Sequence, residues 1–297
     1  MNVEYPDTMQ SFFKQFPDDQ ACLKYLELVR WNGGFICPRC ANAKAWKKNR
    51  GLYRCASCRH DTSVTAGTVF GNSRVSISTW FQAVWLVVSQ KNGMSALGLS
   101  RALGIKRQKT AWHLLKRIRT AMVRTGRERL SGLVEVDEVF LGVVKPGKRG
   151  RGALGKVLIL VAVEDKGKTG IGRIRIEIIV DASATTLQQA IGKMIEIGST
   201  IRTDEWRGYT PAALQGYEHV IIERQSLEPG EDPTPLVHRI ASLLKRWLLG
   251  THQGGVHQET IEPYLNEFVF RFNRRTSRSR GKLFFRLIQN VVHAKSE

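Results

Sequence analysis

Four cysteines stand in two Cys-x2-Cys pairs, Cys37 with Cys40 and Cys55 with Cys58, fourteen residues apart. A two-residue spacer lets both thiolates of a pair reach one ion, and four soft sulfurs make the closed tetrahedral set of a structural zinc site. Redox Cys-x2-Cys motifs come singly beside a βαβ unit, so zinc is the expected occupant. Cys22 reads instead as a small buried hydrophobe on the apolar side of the preceding helix. A second set of chemical groups is acidic. In LVEVDEVFLG the side chains alternate, which puts Glu135 and Asp137 on one face of a strand and Glu138 on the other. A carboxylate among valines needs a partner, because burying an unpaired charge is expensive, and metal ligation supplies one. Asp204, in STIRTDEWRGY, follows another short strand. Two aspartates from neighbouring strands can share a divalent ion, and a ligand from a following helix would complete a two-metal phosphoryl-transfer site. By composition alone either aspartate also reads as an ordinary strand-end or turn residue.

The elements that must hold these residues are legible in the periodicity. DDQACLKYLELVRW places Leu23, Leu26 and the Tyr25/Val29 pair at helical spacing behind an aspartate that can cap, just ahead of the cysteines. ISTWFQAVWLVVSQ, MSALGLSRALGI and KRQKTAWHLLKRIRTAM follow as three helices, with Gly104 in the turn before the last. This is a helix-turn-helix-like segment. The last helix carries Lys106, Arg107, Lys109, Lys116, Arg117 and Arg119, with Gln108 and Thr110 near its start, where a recognition helix meets base edges. An ordinary solvated basic face is the competing reading. Trp80, Trp85 and Trp112 stand at helical spacings and are expected in the core. After Gly132 the pattern turns β-branched: LVEVDEVFLGV, KVLILVAVE and RIRIEIIVD, then alternating helices and strands in the order strand, strand, strand, helix, strand, helix, strand, helix. That order implies an α/β fold, a ribonuclease H-like mixed sheet with flanking helices, preceded by the zinc ribbon and the helical segment. The expected domains are 1–70 for helix plus ribbon, 71–130 for the helix-turn-helix-like segment and 131–297 for the ribonuclease H-like part.

A chain of 297 residues with 42% hydrophobic composition can bury a real core, which excludes a peptide or a disordered tail. Its 46 Lys+Arg against 26 Asp+Glu give a formal charge of +20, which points to a polyanion partner, with nucleic acid ahead of a membrane surface. There is no apolar run long enough to span a bilayer and the opening MNVEYPDTMQSFF has no signal-peptide pattern, so a cytoplasmic protein with no membrane partner is expected. GRGALGKV nearly spells a phosphate-binding loop. It fails because Val157 replaces the hydroxyl that would hold magnesium and because a strand, not a helix, follows. Lys148, Arg149 and Arg151 are better read as the tip of a basic loop that touches DNA backbone.

With these residues in hand, the chain resembles the DDE-type insertion-sequence transposases of the ISXO-like group, whose members carry a zinc ribbon before a ribonuclease H-like catalytic domain. CPRC with CASC resembles the family's ribbon and SALGLSRALGIKRQKTAWHLLKRIR its helical segment. VEVDE, GRGALGK, TDEWRGY, SLLKR and NEFVFRFNRR resemble the catalytic part in combination and order. The resemblance implies that Asp137 and Asp204 are the first two catalytic carboxylates. Anchored on SLLKR, it places His238 where the family has glutamate or, in some members, another metal-capable or polar residue, and Lys245 where it has a basic residue seven positions on. His238, Ser242 and Lys245 would form one polar stripe on a helix, opposite Val237, Ile240, Leu244 and Trp247. The activity implied is metal-dependent cleavage and strand transfer at the ends of an insertion sequence. Magnesium or manganese would serve as catalytic ion, double-stranded DNA of element and target as partner, and a homo-oligomer as the active complex. A histidine removes one negative charge and one hard oxygen, so manganese should be favoured over magnesium. The alternatives are a catalytically inactive DNA-binding relic and a nuclease that cuts without joining. Glu205, Glu223, Glu228, Glu231 and Asp232 are rival ligands, and Glu267 is a further acid near the C-terminus.

Overall fold

The computed structural model describes residues 5–48, 51–124, 126–142, 156–253 and 258–293. By packing, the chain forms two units, Met1–Thr125 together with Thr276–Glu297, and Gly126–Arg275. The chain's last segment thus closes on the first unit, whereas the order of elements assigns it to the domain ending at 297. Arg149 and Arg151, with the rest of the basic loop tip, lie outside the described residues.

The first unit opens with α1 (Met9–Gln15), started by a reciprocal Thr8/Ser11 capping box, and α2 (Asp19–Arg30), whose Ala21 N–H is capped by Asp18 at 2.8 Å. Cys22 and Leu26, one turn apart, are the buried positions of α2. Three short antiparallel strands follow, β1 (Ala45–Lys47), β2 (Leu52–Cys55) and β3 (Asp61–Ser63). Next come α3 (Ile77–Ser89), α4 (Ala96–Ala102) and α5 (Gln108–Thr120). Ser76 caps α3, which is buried almost all round, as its continuous apolar sequence requires. The turn from α4 to α5 passes through Gly104 at φ +63°, a conformation that an L side chain resists, and the Ser100 hydroxyl closes it by donating to the Ile105 carbonyl at 2.6 Å. The chain's last helix, α9 (Arg280–His293), supplies Phe284 to an aromatic cluster in which Phe12 stacks on Trp85 with centroids 5.1 Å apart. Trp80 and Trp85 are buried as expected. Trp112 is only half-buried, with the Lys116 ammonium 5.9 Å from its ring centre.

The second unit is built on β4 (Leu133–Leu141), β5 (Val157–Asp165) and β6 (Ile171–Ile179), an antiparallel run, followed by α6 (Ala184–Met194) and by β7 (Thr200–Thr203) and β8 (Glu218–Ile221). β7 pairs parallel with β4 and β8 parallel with β7, giving the order β6-β5-β4-β7-β8. α7 (Pro235–His252) and α8 (Glu262–Phe272) follow. Alternation along β4 sorts the core: Val134 and Val136 pack with α6, while Val139 and Leu141 pack with α7 and α8. Each such buried aliphatic side chain contributes about 1.5–3 kcal/mol. A mixed sheet with helices on both faces is the ribonuclease H-like arrangement expected from the element order. One expected helix is absent: residues 204–217 run as turns. The only span there with helical character lies between Thr210 and Gly216, and Gly216 at φ +89° ends it after a single Leu214-to-Thr210 turn. None of the described helices is long and apolar enough to cross a membrane.

Candidate functional site

Two of the three carboxylates of β4, Glu135 and Asp137, face α7, as their alternation requires. β4 and β7 pair with Glu135 beside Arg202; Asp137 lies two residues further along β4, and Asp204 just past the end of β7. α7 begins with Pro235 and lacks a side-chain cap of its own. Its first turn is held from the strand instead. Glu135 Oε1 accepts the Val237 N–H at 2.7 Å, and the Thr234 hydroxyl donates to Asp137 Oδ2 at 2.7 Å. Glu135 Oε2 in turn accepts from Arg202 at 2.6 Å, and the same guanidinium nitrogen reaches Asp165 at 2.9 Å.

The start of α7 sets His238 against the strand. Its Nε2 lies 3.4 Å from Asp137 Oδ2, and its Nδ1 lies 2.6 Å from Asp232 Oδ2. Asp232 is itself fixed, because its Oδ1 accepts the Thr234 N–H at 3.0 Å. His238 is half-exposed whereas Asp137 is buried, so the pair opens to solvent on the helix side. Ser242 and Lys245 continue the exposed stripe along α7 opposite buried Val237, Ile240 and Leu244; Trp247 is partly buried. The turn after Asp204 is closed by the Trp206 N–H donating to Asp204 Oδ1 at 3.0 Å and the Thr203 hydroxyl donating to the Asp204 carbonyl at 2.8 Å. Trp206 Nε1 anchors that turn on the Ala182 carbonyl at 3.0 Å.

Burial raises the Asp137 carboxyl above its ordinary range; the Thr234 hydroxyl opposes this and the neighbouring charge of Asp204 adds to it. Glu135 is raised too, because burial outweighs the Val237 N–H and Arg202. Among the described residues no lysine or arginine pairs with Asp137 or Asp204, the available Arg202 being held by Glu135 and Asp165. Asp137 with the charge of Asp204 near it, and an imidazole nitrogen 3.4 Å from its Oδ2, are donor types that suit magnesium or manganese; among the described residues only the four cysteines already stand close enough together to hold an ion as they are. Of the rival ligands, Glu205 and Glu231 accept backbone N–H groups of Arg224 and Glu228 at 3.3 and 3.1 Å. Glu267 is buried in α8 and held by Arg271 at 2.7 Å. Glu138 faces the other side of β4, where burial and that carboxylate hold the Tyr209 hydroxyl well above its usual range.

In the first unit all four cysteine sulfurs lie within 4.8 Å of one another, with Cys37–Cys58 at 3.6 Å and Cys40–Cys55 at 3.5 Å. Sulfurs about 2.3 Å from one zinc stand about 3.8 Å apart, so the cluster fits that ion. The two knuckles are built alike. Each ends in a left-handed residue, Ala41 at φ 58° and Arg59 at φ 61°, whose N–H returns to the carbonyl of the first cysteine. The Cys58 N–H, ahead of burial's opposing effect, brings the Cys55 thiol down to about 6. Although the His60 N–H favours its thiolate, burial and three cysteine neighbours push Cys58 up to about 12. Four thiolates side by side therefore need a cation. Cys22 stands apart, and burial pushes its thiol up to about 12.

Lys106, Arg107, Gln108 and Lys109 are exposed together at the start of α5, which has no side-chain cap. Arg117 and Arg119 do not join them. Arg117 donates to the Gly71 carbonyl at 2.7 Å over the Trp80 ring, and buried Arg119 donates to the Met94 carbonyl at 3.1 Å.

Sequence reading singled out Asp137 and Asp204 from their strands, and His238 from the resemblance anchored on SLLKR. It missed Glu135 as a helix cap and Asp232 and Thr234 as partners of the site. The signal for the cap is an uncapped Pro-led helix paired with a second carboxylate two positions before Asp137.

Residues 129–273 match the ISXO2-like transposase domain and residues 17–61 the transposase zinc-ribbon domain. The chain is also 26% identical, over 91% of its length and 95% of the relative's, to an uncharacterized protein in transposable element ISH50 of Halobacterium salinarum.

Proposed function

This chain belongs to the ISXO2-like transposases that carry an N-terminal zinc ribbon, and from that premise we propose that it binds the ends of an insertion sequence and catalyses metal-dependent cleavage and strand transfer of DNA. Asp137, Asp204 and His238 are the residues that would hold the catalytic magnesium or manganese, and Cys37, Cys40, Cys55 and Cys58 the structural zinc. The observation that carries the reading is His238 Nε2 standing 3.4 Å from Asp137 Oδ2, on the strand whose parallel neighbour delivers Asp204.

Bound at that site, a pair of divalent ions would supply Lewis acidity to the attacking and leaving oxygens of phosphoryl transfer. Asp137 and Asp204 contribute the negative charge that such a site needs, from a rigid sheet, and His238 contributes a nitrogen from the helix packed on it. Lys245 stands two helical turns beyond His238, about 10 Å along the axis, where its ammonium can meet a DNA phosphate. Water and then the freed 3′-hydroxyl serve as nucleophiles, so no side chain of the protein has to form a covalent intermediate. Lys106, Arg107 and Lys109 are suited to phosphates and Gln108 to a base edge. Holding two element ends at once calls for a homo-oligomer in the active complex.

The test incubates the full chain with a labelled duplex carrying the source element's end, in magnesium, in manganese and in chelator, beside Asp137→Ala and His238→Ala. Manganese-favoured cleavage lost in both variants supports the reading. Binding without cleavage under every condition would establish the DNA-binding relic instead, and cutting without joining the nuclease.

A further inference from the structure

We propose that Asp232 is the positioning residue that lets a histidine serve where a glutamate would otherwise ligate: through the Nδ1 of His238 it fixes the imidazole and returns the negative charge that the exchange removes. The inference rests on reading His238 as a metal ligand. Four residues form a closed ring, joined through both the hydroxyl and the backbone N–H of Thr234. Asp137 Oδ2 accepts the Thr234 hydroxyl at 2.7 Å, the Thr234 N–H donates to Asp232 Oδ1 at 3.0 Å, Asp232 Oδ2 meets His238 Nδ1 at 2.6 Å, and His238 Nε2 returns to Asp137 Oδ2 at 3.4 Å.

With a carboxylate as its only partner, Nδ1 must be the donor. That choice leaves Nε2 as the ligating nitrogen and aims it at Asp137. A carboxylate behind a metal-ligating imidazole fixes its tautomer and orientation and raises its basicity. Charge gives the second argument. A glutamate would bring one negative charge to the ion directly, whereas an imidazole brings none; the Asp232–His238 pair together carries the same net charge as the missing carboxylate. Asp232 is therefore no rival to His238 for the metal, because both its oxygens are engaged, Oδ1 by the Thr234 N–H and Oδ2 by Nδ1. Earlier in the same loop the Glu231 carboxylate accepts the Glu228 N–H, and among the loop's described acids only Asp232 meets a His238 nitrogen.

The test is a manganese titration of the zinc-loaded full chain, with free ion followed by electron paramagnetic resonance and Asp137→Ala as the baseline. Thermal unfolding and zinc content serve as controls for folding. Asp232→Asn keeps the size and the hydrogen bond to Thr234 but removes the charge, and it is expected to weaken manganese binding about ten- to a hundredfold. His238→Ala should weaken it at least as much. In a His238→Glu background, Asp232→Asn is expected to leave affinity unchanged or to improve it, since two facing carboxylates repel. If His238→Ala weakens binding and Asp232→Asn does not, the inference is overturned while the ligand reading stands. If neither matters, the ligand reading falls and takes the inference with it. Equal losses from Asp232→Asn in both backgrounds would mean that Asp232 acts without the imidazole, and would also overturn the proposal.

Discussion

The buried carboxylate of Glu135 accepts the Val237 backbone N–H at 2.7 Å, so a residue of β4 caps the helix that carries His238. Through Arg202 the same carboxylate grips β7 just before Asp204, and β4 itself carries Asp137. One side chain thus ties together the three elements that deliver the three candidate ligands. Its charge costs free energy to bury, and the two donors offset part of that cost.

Glu135→Ala would take the acceptor from the α7 N-terminus and leave Arg202 with Asp165 alone, and should destabilise the fold by about 1–3 kcal/mol. Glu135→Gln retains an acceptor for Val237 and should cost less. Denaturant unfolding of the full chain measures both, and manganese affinity should fall in Glu135→Ala even at temperatures where it stays folded. Unchanged stability in Glu135→Ala would show that the cap is idle.

The basic start of α5 and its inward-turned arginines should separate cleanly in experiment. Lys106→Ala, Arg107→Ala and Lys109→Ala are expected to weaken DNA binding across sequences and to reduce the salt slope by about one for each phosphate no longer neutralised, without loss of stability. Gln108→Ala should relax discrimination at a base position by about 1–3 kcal/mol. Arg119→Ala should instead lower stability by about 1–3 kcal/mol, because a buried side chain is lost and the Met94 carbonyl loses its donor. Binding isotherms at several salt concentrations, beside unfolding curves, distinguish the two classes.

For the ribbon, any one of Cys37→Ser, Cys40→Ser, Cys55→Ser or Cys58→Ser should lower bound zinc, measured per chain, and loosen the small sheet. Cys22→Ser should leave zinc content unchanged and cost about 1–3 kcal/mol, since it buries a hydroxyl where a thiol now packs. After chelation, four thiols should become reactive to a thiol reagent while Cys22 stays protected, its thiol buried and pushed up to about 12.

Local chemistry was legible in the chain, and long-range partnership was not. The cysteine spacing declares its ion because each knuckle closes within five residues. Alternation around Asp137 declares its face because a strand's period is two. By contrast, nothing local distinguishes Arg117 and Arg119 from Lys106: all are basic residues in one segment, and only the fold shows that two of them are spent on carbonyls inside. Trp112 has the spacing of a core residue, yet its ring lies half-buried beneath a lysine. Glu135 and Val237 are 102 residues apart, so the cap could not be read before the sheet and α7 were assembled. The last helix shares no sequence feature with α1 or α3 beyond its aromatics, which is why its place in the first unit escapes a linear reading.

Glu164 offers a pH test that is independent of either metal site. Burial opposes its charge, but the Arg173 side chain, the Arg173 N–H and the Ser131 N–H outweigh burial and lower its carboxyl below the ordinary value of 4.5. A carboxylate lowered in the folded state contributes stability above the unfolded value, and that contribution is lost as pH falls through the folded one. The stability difference between the native chain and Glu164→Gln should therefore be greatest above about pH 4.5 and shrink below it. Taking the difference removes the effect of zinc loss, which both chains share. A difference that does not vary with pH would mean that Glu164 acts only by its shape.

Gly208 gives the sharpest steric test of how Asp204 is held. A Cβ there would stand 2.5 Å from the Ala182 carbonyl oxygen and 2.5 Å from Trp206 Nε1, the two atoms whose hydrogen bond anchors the turn after Asp204. The carbonyl belongs to the backbone and cannot swing aside, so Gly208→Ala must displace the indole, the turn or both. Overpacking of this kind costs about 1–3 kcal/mol, and it should also move Asp204 away from Asp137. Trp206→Phe is the matched control, because it keeps most of the ring and removes only the N–H. If the anchor positions Asp204, both variants should lose manganese affinity, Gly208→Ala the more. A loss of stability in Gly208→Ala with manganese affinity intact would mean that the turn supports the fold and leaves Asp204 in place.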